Sequence, residues 1–354
     1  MYIVIAIFAF GFLIFTHELG HFLAARAFNV KVLEFSLGMG PALLKKQGRE
    51  TLYSLRALPI GGFCAMEGED ETSEDKRAFS SQSALKRAVI LSAGAAMNFV
   101  TGFLLVLLVY SQAEAFSSPE ITGFMDGCPY EGENMLMAGD TVLRVDGHRI
   151  YFSGNFSEYM ASSGSDYHDI TVKRGGERLK LEKVYMPLRE YESESGEKTM
   201  KYGIYFGSEK ATFFSTIKYS WYSALDFVRV VWRGLGQLVT GAVGLRELAG
   251  PVGIVGLVND TASQEATVSE GLLDVAYLFS LIAVNLAVMN MLPIPALDGG
   301  RVFFLLVTLV IEKITRRRLN PKYEGWVHSA GFVLLMGLMI FVMFSDVFKI
   351  IASR

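Results

Sequence analysis

Phe15-Thr16-His17-Glu18-Leu19-Gly20-His21 is the decisive stretch, and it lies inside an apolar run from Met1 to Phe28. On a helix, residues i and i+4 share one face, so His17 and His21 can offer imidazole nitrogens to one metal ion while Glu18 lies beside them. This HExxH spacing is typical of zinc hydrolases, in which zinc takes three protein ligands and keeps a position for water. Zinc lowers the pKa of that water to about 7, and the adjacent glutamate can accept its proton. Two ligands are therefore present here, and a third must come from elsewhere.

The alternative interpretation is a chance match on an ordinary helix. A chance match would leave the Glu18 carboxylate and two imidazoles inside a membrane-length apolar segment. An ionisable group in such a segment costs a few kcal/mol unless it has a partner. We therefore interpret the stretch as part of a metal site.

The composition of the chain indicates a membrane protein. Its 354 residues are 51% hydrophobic, yet the middle of the chain is polar. This pattern predicts a polytopic α-helical membrane protein with one extramembrane domain. The net charge is -3, and no basic stripe interleaves with aromatic residues, so we expect no nucleic-acid partner.

Apolar runs of membrane length predict about four transmembrane helices, since about twenty residues cross a bilayer. We place them at Tyr2 to Phe28, Ala88 to Tyr110, Gly271 to Ile311 and Trp326 to Phe348. The third run is about twice the needed length and is broken by prolines and glycines, so it must be buried in protein or line a wet cavity. A further run, Phe213 to Thr240, carries polar residues on one helical stripe and is expected to lie in the membrane interface.

The distribution of basic residues predicts the orientation in the membrane. No basic residue precedes His17, whereas Arg26 and Lys31 follow it, so the N-terminus is expected outside. The basic loop containing Arg316 to Arg318 is expected in the cytoplasm, and with four spans both termini are then outside. The predicted organisation is 1–111 for the first two spans, 112–210 for an extracytoplasmic β-rich domain, 211–258 for the interfacial region and 259–354 for the last two spans.

Short β-like runs between the first two spans predict a membrane-associated β-hairpin region. Pro59 to Phe63 contains Gly61 and Gly62, which favour a hairpin or a bulge. An unpaired edge near the active site could hold a peptide in extended form by strand addition. The alternative, a plain cytoplasmic connecting loop, remains open from the residues alone.

Asp298 is the candidate third ligand, because it is the only carboxylate between Asp274 and Glu312 and follows the proline-broken stretch. A carboxylate oxygen would complete a site of two histidines and one acid with one position open. The alternative is a simple N-cap for a helix that starts at Arg301. An acid deep in the membrane with no stronger partner makes that alternative costly.

These residues together resemble the bacterial branch of the site-2 protease family of intramembrane zinc metalloproteases, the branch of the PDZ-containing regulator of sigma-E proteases. The resemblance covers essentially the whole chain. It rests on five pieces: Thr16 to His21, Pro59 to Phe63, Gly94 to Asn98, Gly250 to Ile254, and Asn290 to Gly300 with its Leu-Asp-Gly-Gly end.

The resemblance implies a Zn²⁺ cofactor, a multi-pass protein of the bacterial cytoplasmic membrane and a PDZ-like fold for the middle domain, which would bind or exclude substrate ectodomains. It implies that single-span membrane proteins, such as anti-sigma factors or remnant signal peptides, are the substrates. It also implies substrate-binding roles for the residues that match the family's asparagines and hairpin, namely Asn285, Asn290, Gly61, Gly62 and Phe63.

A metal site in a membrane protein is also compatible with a metal transporter or with a scaffold that binds membrane proteins. A metal transporter would not require Glu18 beside the histidines, and it usually repeats acidic or histidine residues along its path. A scaffold that binds membrane proteins without cutting them would not need a complete set of ligands and a base. We therefore expect an intramembrane zinc metalloendopeptidase.

Overall fold

The computed structural model of the protein describes residues 2–69, 73–192, 198–244, 250, 253–258, 267–316 and 321–352. Its helices are α1 (Tyr2–Ala27), α2 (Ala84–Tyr110), α3 (Ser153–Ser162), α4 (Phe213–Thr240), α5 (Val268–Asn290), α6 (Asp298–Thr315) and α7 (Pro321–Ala352). Pro251, Val252 and the loop residues Arg317 and Arg318, which the sequence interpretation used, lie outside the described residues.

The chain forms two compact units. The membrane unit comprises Met1–Val109 and Phe227–Arg354, and the β-rich unit comprises Tyr110–Asp226. In the described part of the chain, four helices are long and apolar enough to cross a membrane: Val4–Ala27, Ala84–Tyr110, Val268–Asn290 and Gly325–Lys349. This confirms the predicted number of spans.

The predicted third run is indeed broken. α5 ends at Asn290, and α6 begins at Asp298 after a seven-residue connection rich in turns. Asp298 is the first residue of α6, and the N-cap residue is Leu297. The alternative of Asp298 as N-cap of a helix starting at Arg301 is therefore wrong, because the helix begins three residues earlier.

Close helix packing organises the membrane unit. A side chain at Gly20 of α1 would overlap the backbone of Ala93 on α2, so the two helices cross with their backbones nearly in contact. Gly102 of α2 lies in the same way against Ser280 and Val284 of α5. Small residues permit such close approach where lipid supplies no hydrophobic driving force between helices. α2 is thus packed closely against both α1 and α5, and its crossing with α1 lies within the HExxH stretch.

A bent sheet of β1 (Val32–Gln47) and β2 (Leu52–Met66) packs beside α1. The first half of β1 is paired on both edges, as Leu37 pairs with Leu55 on one side and with Gly62 on the other. β2 reaches both sides because it bends at Gly61. The backbone φ of Gly61 is 78°, a value that residues other than glycine rarely adopt. The predicted hairpin or bulge at Pro59 to Phe63 is therefore a glycine bend inside one continuous strand.

The β-rich unit has its own sheet, in the order β10-β3-β4-β6-β7, with β5 paired to β4. Its strands are β3 (Ala115–Phe124), β4 (Thr141–Val145), β5 (His148–Arg149), β6 (Tyr167–Arg174), β7 (Glu177–Tyr185) and β10 (Ile204–Lys210), and β8 (Arg189–Glu192) and β9 (Lys198–Lys201) form a separate hairpin. A turn at Asp146 and Gly147 joins β4 to β5, and both residues have positive φ, as a two-residue hairpin of an Asp-Gly pair requires.

The core of the β-rich unit lies between this sheet and α3. Phe156 of α3 is fully buried with Val142, Ile170 and Leu136. The first half of α4 belongs to the same unit: Tyr219 stacks on Phe116 of β3 at 4.8 Å between ring centroids.

Candidate metal centre and active site

Three side chains converge between α1 and the start of α6. The Nε2 atoms of His17 and His21 lie 3.2 Å apart, and Asp298 Oδ2 lies 3.1 Å from the first and 3.3 Å from the second. Four ligands at about 2.0–2.1 Å from zinc in a tetrahedron stand about 3.3 Å from one another. The three atoms therefore form a triangle of the size that one face of a zinc tetrahedron requires.

The chemistry of the three atoms also fits a metal ion. Asp298 Oδ2 is buried and makes no hydrogen bond of acceptable geometry with the described residues, although two imidazole nitrogens lie within 3.3 Å. A buried carboxylate oxygen left in this way is costly without a cation. A catalytic zinc site has three protein ligands and a structural one has four, so the three converging side chains found among the described residues match a catalytic site.

The other nitrogen of each histidine is held by α2. His21 Nδ1 lies 2.9 Å from the carbonyl oxygen of Ile90, so Nδ1–H donates a hydrogen bond to that oxygen. Nε2 then carries no proton, and its lone pair can bind a metal. His17 Nδ1 lies 3.3 Å from the side-chain amide of Asn98, which is 1% exposed. α2 thus orients both imidazole rings.

The amide of Asn98 also contacts Thr16, whose hydroxyl lies 3.3 Å from the amide and 3.0 Å from the Leu13 carbonyl oxygen. In the structure, Asn98 Nδ2 faces His17 Nδ1 and Asn98 Oδ1 faces the Thr16 hydroxyl. Metal binding through His17 Nε2 requires the amide in the reverse orientation, in which its oxygen accepts from His17 Nδ1–H, its nitrogen donates to Thr16, and Thr16 donates to Leu13. The two ends of an amide are alike in size, so the hydrogen bonds decide its orientation. With the proton on Nδ1, His17 Nε2 also carries a lone pair for a metal.

Three glycines lie close to the candidate metal site, and each is at a position where a side chain would overlap other atoms. A Cβ at Gly94 of α2 would overlap His21 Nε2 and stand 2.8 Å from His17 Cε1. Side chains at Gly299 and Gly300 would overlap the backbone of the connection that precedes Asp298. Gly94 therefore lies against both imidazoles, and its lack of a side chain leaves room for the two rings.

Glu18 is half-buried on the turn between the two histidines, beside the bend of β2. A Cβ on Gly62 would stand 3.0 Å from Glu18 Cγ and 3.2 Å from Ile14, so the glycine leaves room for the glutamate. The segment Gly62–Met66 pairs with Val32–Leu37, and among the described residues its opposite edge has no strand partner. Glu18 and an open strand edge are thus neighbours.

The remaining predicted substrate-binding residues are spread out. Phe63 follows Gly62 on β2, with the Arg56 guanidinium 4.9 Å from its ring centroid, and the Gly61 bend packs against Met39. Asn290 is half-buried as the last residue of α5, whereas Asn285 is exposed one and a half turns earlier. The structure therefore gives the two asparagines different surroundings.

A further contact ties the sheet to α6. Glu69 accepts a hydrogen bond from the Met66 amide at 3.2 Å and forms an ion pair with Arg301, one turn after Asp298. Glu69 had no signal in the sequence, because it lies in an acidic run that is indistinguishable from a solvated loop. Glu69 joins the end of the open strand to the helix that carries Asp298.

Comparisons with known proteins agree with this geometry. The model of peptidase family M50 matches residues 5–338. A candidate zinc metalloprotease of Clostridium acetobutylicum is 35% identical over 348 residues, covering 98% of this chain and 97% of its own. One from Clostridium perfringens is 34% identical over 349 residues, covering 98% of each chain. The regulator of sigma-W protease RasP of Bacillus subtilis is 25% identical over 420 residues, covering 96% of each.

The family match extends over nearly the whole chain and over both parts of the metal site. The resemblance inferred from the sequence is thereby confirmed, and with it the enzyme class and zinc as cofactor. The metal-transporter and non-cleaving alternatives are set aside. The chain belongs to peptidase family M50, the site-2 proteases, and is an intramembrane zinc metalloprotease.

Proposed function

We propose that this protease cleaves peptide bonds inside the transmembrane segments of single-span membrane proteins, with zinc held by His17, His21 and Asp298 and with Glu18 as general base. The observation that carries the proposal is the triangle of ligand atoms, 3.1 to 3.3 Å on each side. Glu18 follows His17 directly on α1, which is the position of the general base in the HExxH pattern. His17, Glu18 and His21 lie on α1, which is long and apolar enough to cross a membrane, and this supports chemistry inside the bilayer.

Zinc, when bound, polarises the scissile carbonyl and acidifies a water molecule. Glu18 accepts the proton of that water and later delivers it to the leaving amine, which is the usual double role of a positioned carboxylate. Asn98 and the Ile90 carbonyl oxygen keep both imidazoles in the tautomer that presents Nε2. Asp298 neutralises part of the charge of the metal from the start of α6.

The substrate must be extended before it can be cut, because the amides of a helix are hydrogen-bonded internally and shielded from attack. The open edge of Gly62–Met66 offers backbone groups to an extended peptide, and strand addition of this kind offsets part of the cost of unwinding. Gly62 sets this edge beside Glu18, so a peptide paired there passes the proposed base. Gly61 and Phe63 shape the edge, and Asn290 is the better placed of the two asparagines to hold the substrate backbone.

The orientation we propose places both termini and the β-rich unit outside the cytoplasmic membrane of a bacterium, with the sheet of β1 and β2 on the inner side. Arg26 lies in the last turn of α1 and Lys31 follows the helix by four residues, as expected for a cytoplasmic end. The far part of the sheet exposes Leu43, Leu44 and Leu58, at 65%, 66% and 54% of their surface. Such apolar exposure favours contact between this part of the sheet and lipid.

For the β-rich unit we propose a PDZ-like fold that excludes bulky substrate ectodomains. A PDZ domain binds a peptide by adding it as a strand to an exposed sheet edge, and we take the region between β3 and α3 as the corresponding place in this unit. Tyr219 of α4 stacks on Phe116 of β3 and packs 5.7 Å from Phe152, which directly precedes α3. The hydroxyls of Ser117 and Ser153 are also hydrogen-bonded across this region. The protein's own residues thus occupy the space that a peptide would need.

The experiment compares membrane peptides in cells that carry the wild type or Glu18→Gln. The proposal predicts that intact transmembrane segments of single-span proteins, including an anti-sigma factor or remnant signal peptides, accumulate with the variant. Glu177→Gln, a change on an exposed strand of the β-rich unit, is the matched control and should leave the peptides unchanged. Equal peptide profiles for Glu18→Gln and the wild type would refute the proposed substrate class.

A further inference from the structure

The connection that delivers Asp298 contains one residue in an unusual backbone conformation. Ala296, two residues before the carboxylate, has a φ of 75°. This left-handed region is disfavoured for residues that carry a Cβ and is usually taken by glycine. An alanine keeps such a conformation only where its surroundings impose it.

The surroundings are supplied by α7. The backbone N–H of Ala296 donates to Nδ1 of His328 on that helix at 3.0 Å. One turn further along, Gly331 lies so close to Pro295 that a Cβ there would stand 2.9 Å from the proline carbonyl. Phe304 of α6 meets the His328 ring edge to face, with ring centroids 5.3 Å apart. His328 is thus fixed between the connection and the helix that follows it.

We propose that His328 is a positioning residue for the Asp298 carboxylate, acting through the left-handed turn at Ala296. A backbone rotation at position 296 would redirect the chain just before α6 begins. The ligand triangle, with sides of 3.1 to 3.3 Å, leaves little room for such a change. The last membrane helix thereby contributes to the metal site, although it supplies no ligand in the described part of the chain. The inference rests on the proposed role of Asp298 as a ligand.

His328 Nδ1 accepts the hydrogen bond from the Ala296 amide, and the test variants keep or remove this acceptor. Asparagine carries its oxygen near the place of imidazole Nδ1, so His328→Asn keeps an acceptor for the Ala296 amide. His328→Ala removes it. Ala296→Gly removes the Cβ that disfavours the left-handed turn, so the double variant Ala296→Gly with His328→Ala should need the histidine less.

The measurement is the zinc dissociation constant of the full-length protein in detergent, by competition with a chromophoric chelator. We expect His328→Ala to weaken zinc binding about tenfold, the lower end of the effects seen for residues that orient ligands. His328→Asn should stay close to the wild type, and the double variant should recover most of the loss. Ser329→Ala, on an exposed neighbour in α7, is the control and should change nothing.

Unchanged zinc binding in His328→Ala would overturn the inference, as would a double variant that recovers nothing, because His328 would then act only through its packing. If His328→Ala does not fold, His328→Gln replaces it, since its oxygen reaches the place of Nε2 instead of Nδ1 and the same weakening is expected. Asp298→Asn is measured in parallel. Retention of zinc by Asp298→Asn would refute the ligand assignment, whereas its loss together with unchanged binding in His328→Ala would refute only the role of His328.

Discussion

Gly94 of α2 packs directly against the imidazole of His21, so that a methyl group at position 94 would overlap Nε2. The Gly94→Ala variant must push the imidazole out of the ligand triangle or push α2 away from α1. Displacing a reacting group by about 1 Å costs on the order of 100-fold in activity. We expect kcat/KM for a single-span substrate to fall about 100-fold, with weaker zinc retention and an unchanged level of folded protein.

The matched control for this change is Gly11→Ala on α1, where an added Cβ would meet nothing within 4 Å. It should leave cleavage and zinc binding unchanged, because alanine also favours the helix more than glycine. Wild-type activity in Gly94→Ala would show that the imidazoles have room to move and that the close contact is unimportant.

Asn98 provides the second prediction. The Asn98→Ala variant leaves His17 Nδ1 without its partner, and the removal of such orienting residues typically weakens metal binding by about 10- to 100-fold. Chelator competition on the purified protein measures the effect. Thr101→Ala is the control, since the Thr101 hydroxyl is bonded within its own helix to the Met97 carbonyl oxygen. If Asn98→Ala and Thr101→Ala bind zinc with equal affinity, Asn98 does not orient His17 and contributes only to packing.

Membrane orientation gives a third prediction. Cys64 is 8% exposed and would escape labelling on either side, so the natural cysteines are not suitable probes. In a background where Cys64 and Cys128 are serine, a membrane-impermeant maleimide should label Glu177→Cys in intact cells. Lys46→Cys, on the exposed part of β1, should be labelled only after the cells are opened. The reverse pattern would invert the orientation.

The β-rich unit should act on access and not on chemistry, because the proposed ligands and base all lie in the membrane unit. Replacing residues 115–210 by a short flexible linker should preserve cleavage of a substrate already trimmed outside. It should also raise cleavage of the same substrate with its full ectodomain relative to the trimmed form. If the variant still binds zinc but cuts neither substrate, the unit has a direct docking or catalytic role.

The three candidate metal ligands could be proposed from the sequence. His17 and His21 are one helical turn apart, so their common face follows from helix geometry alone. Asp298 could be chosen because an acid in a broken apolar segment needs a partner. The four spans likewise follow from local composition, which is why the structure confirms their number.

The residues around the ligands could not be predicted in this way. Asn98 contacts His17, which is 81 residues away in the sequence, and His328 contacts Ala296, which is 32 residues away. Such contacts depend on how the helices cross, and a single sequence carries no signal for that. Gly94 has the same helical spacing as a residue used only for packing, so its position against the imidazoles appears only in three dimensions.

Zinc content and cleavage, measured together on purified full-length variants, test the proposed active site most directly. The wild type should hold about one zinc per chain, the usual count for a three-ligand catalytic site. Glu18→Gln should keep the zinc and lose cleavage of a trimmed single-span substrate, because only the base is removed. Asp298→Asn should lose both. Full zinc content and full cleavage in Asp298→Asn would contradict the ligand assignment, and full cleavage in Glu18→Gln would contradict the assignment of the base.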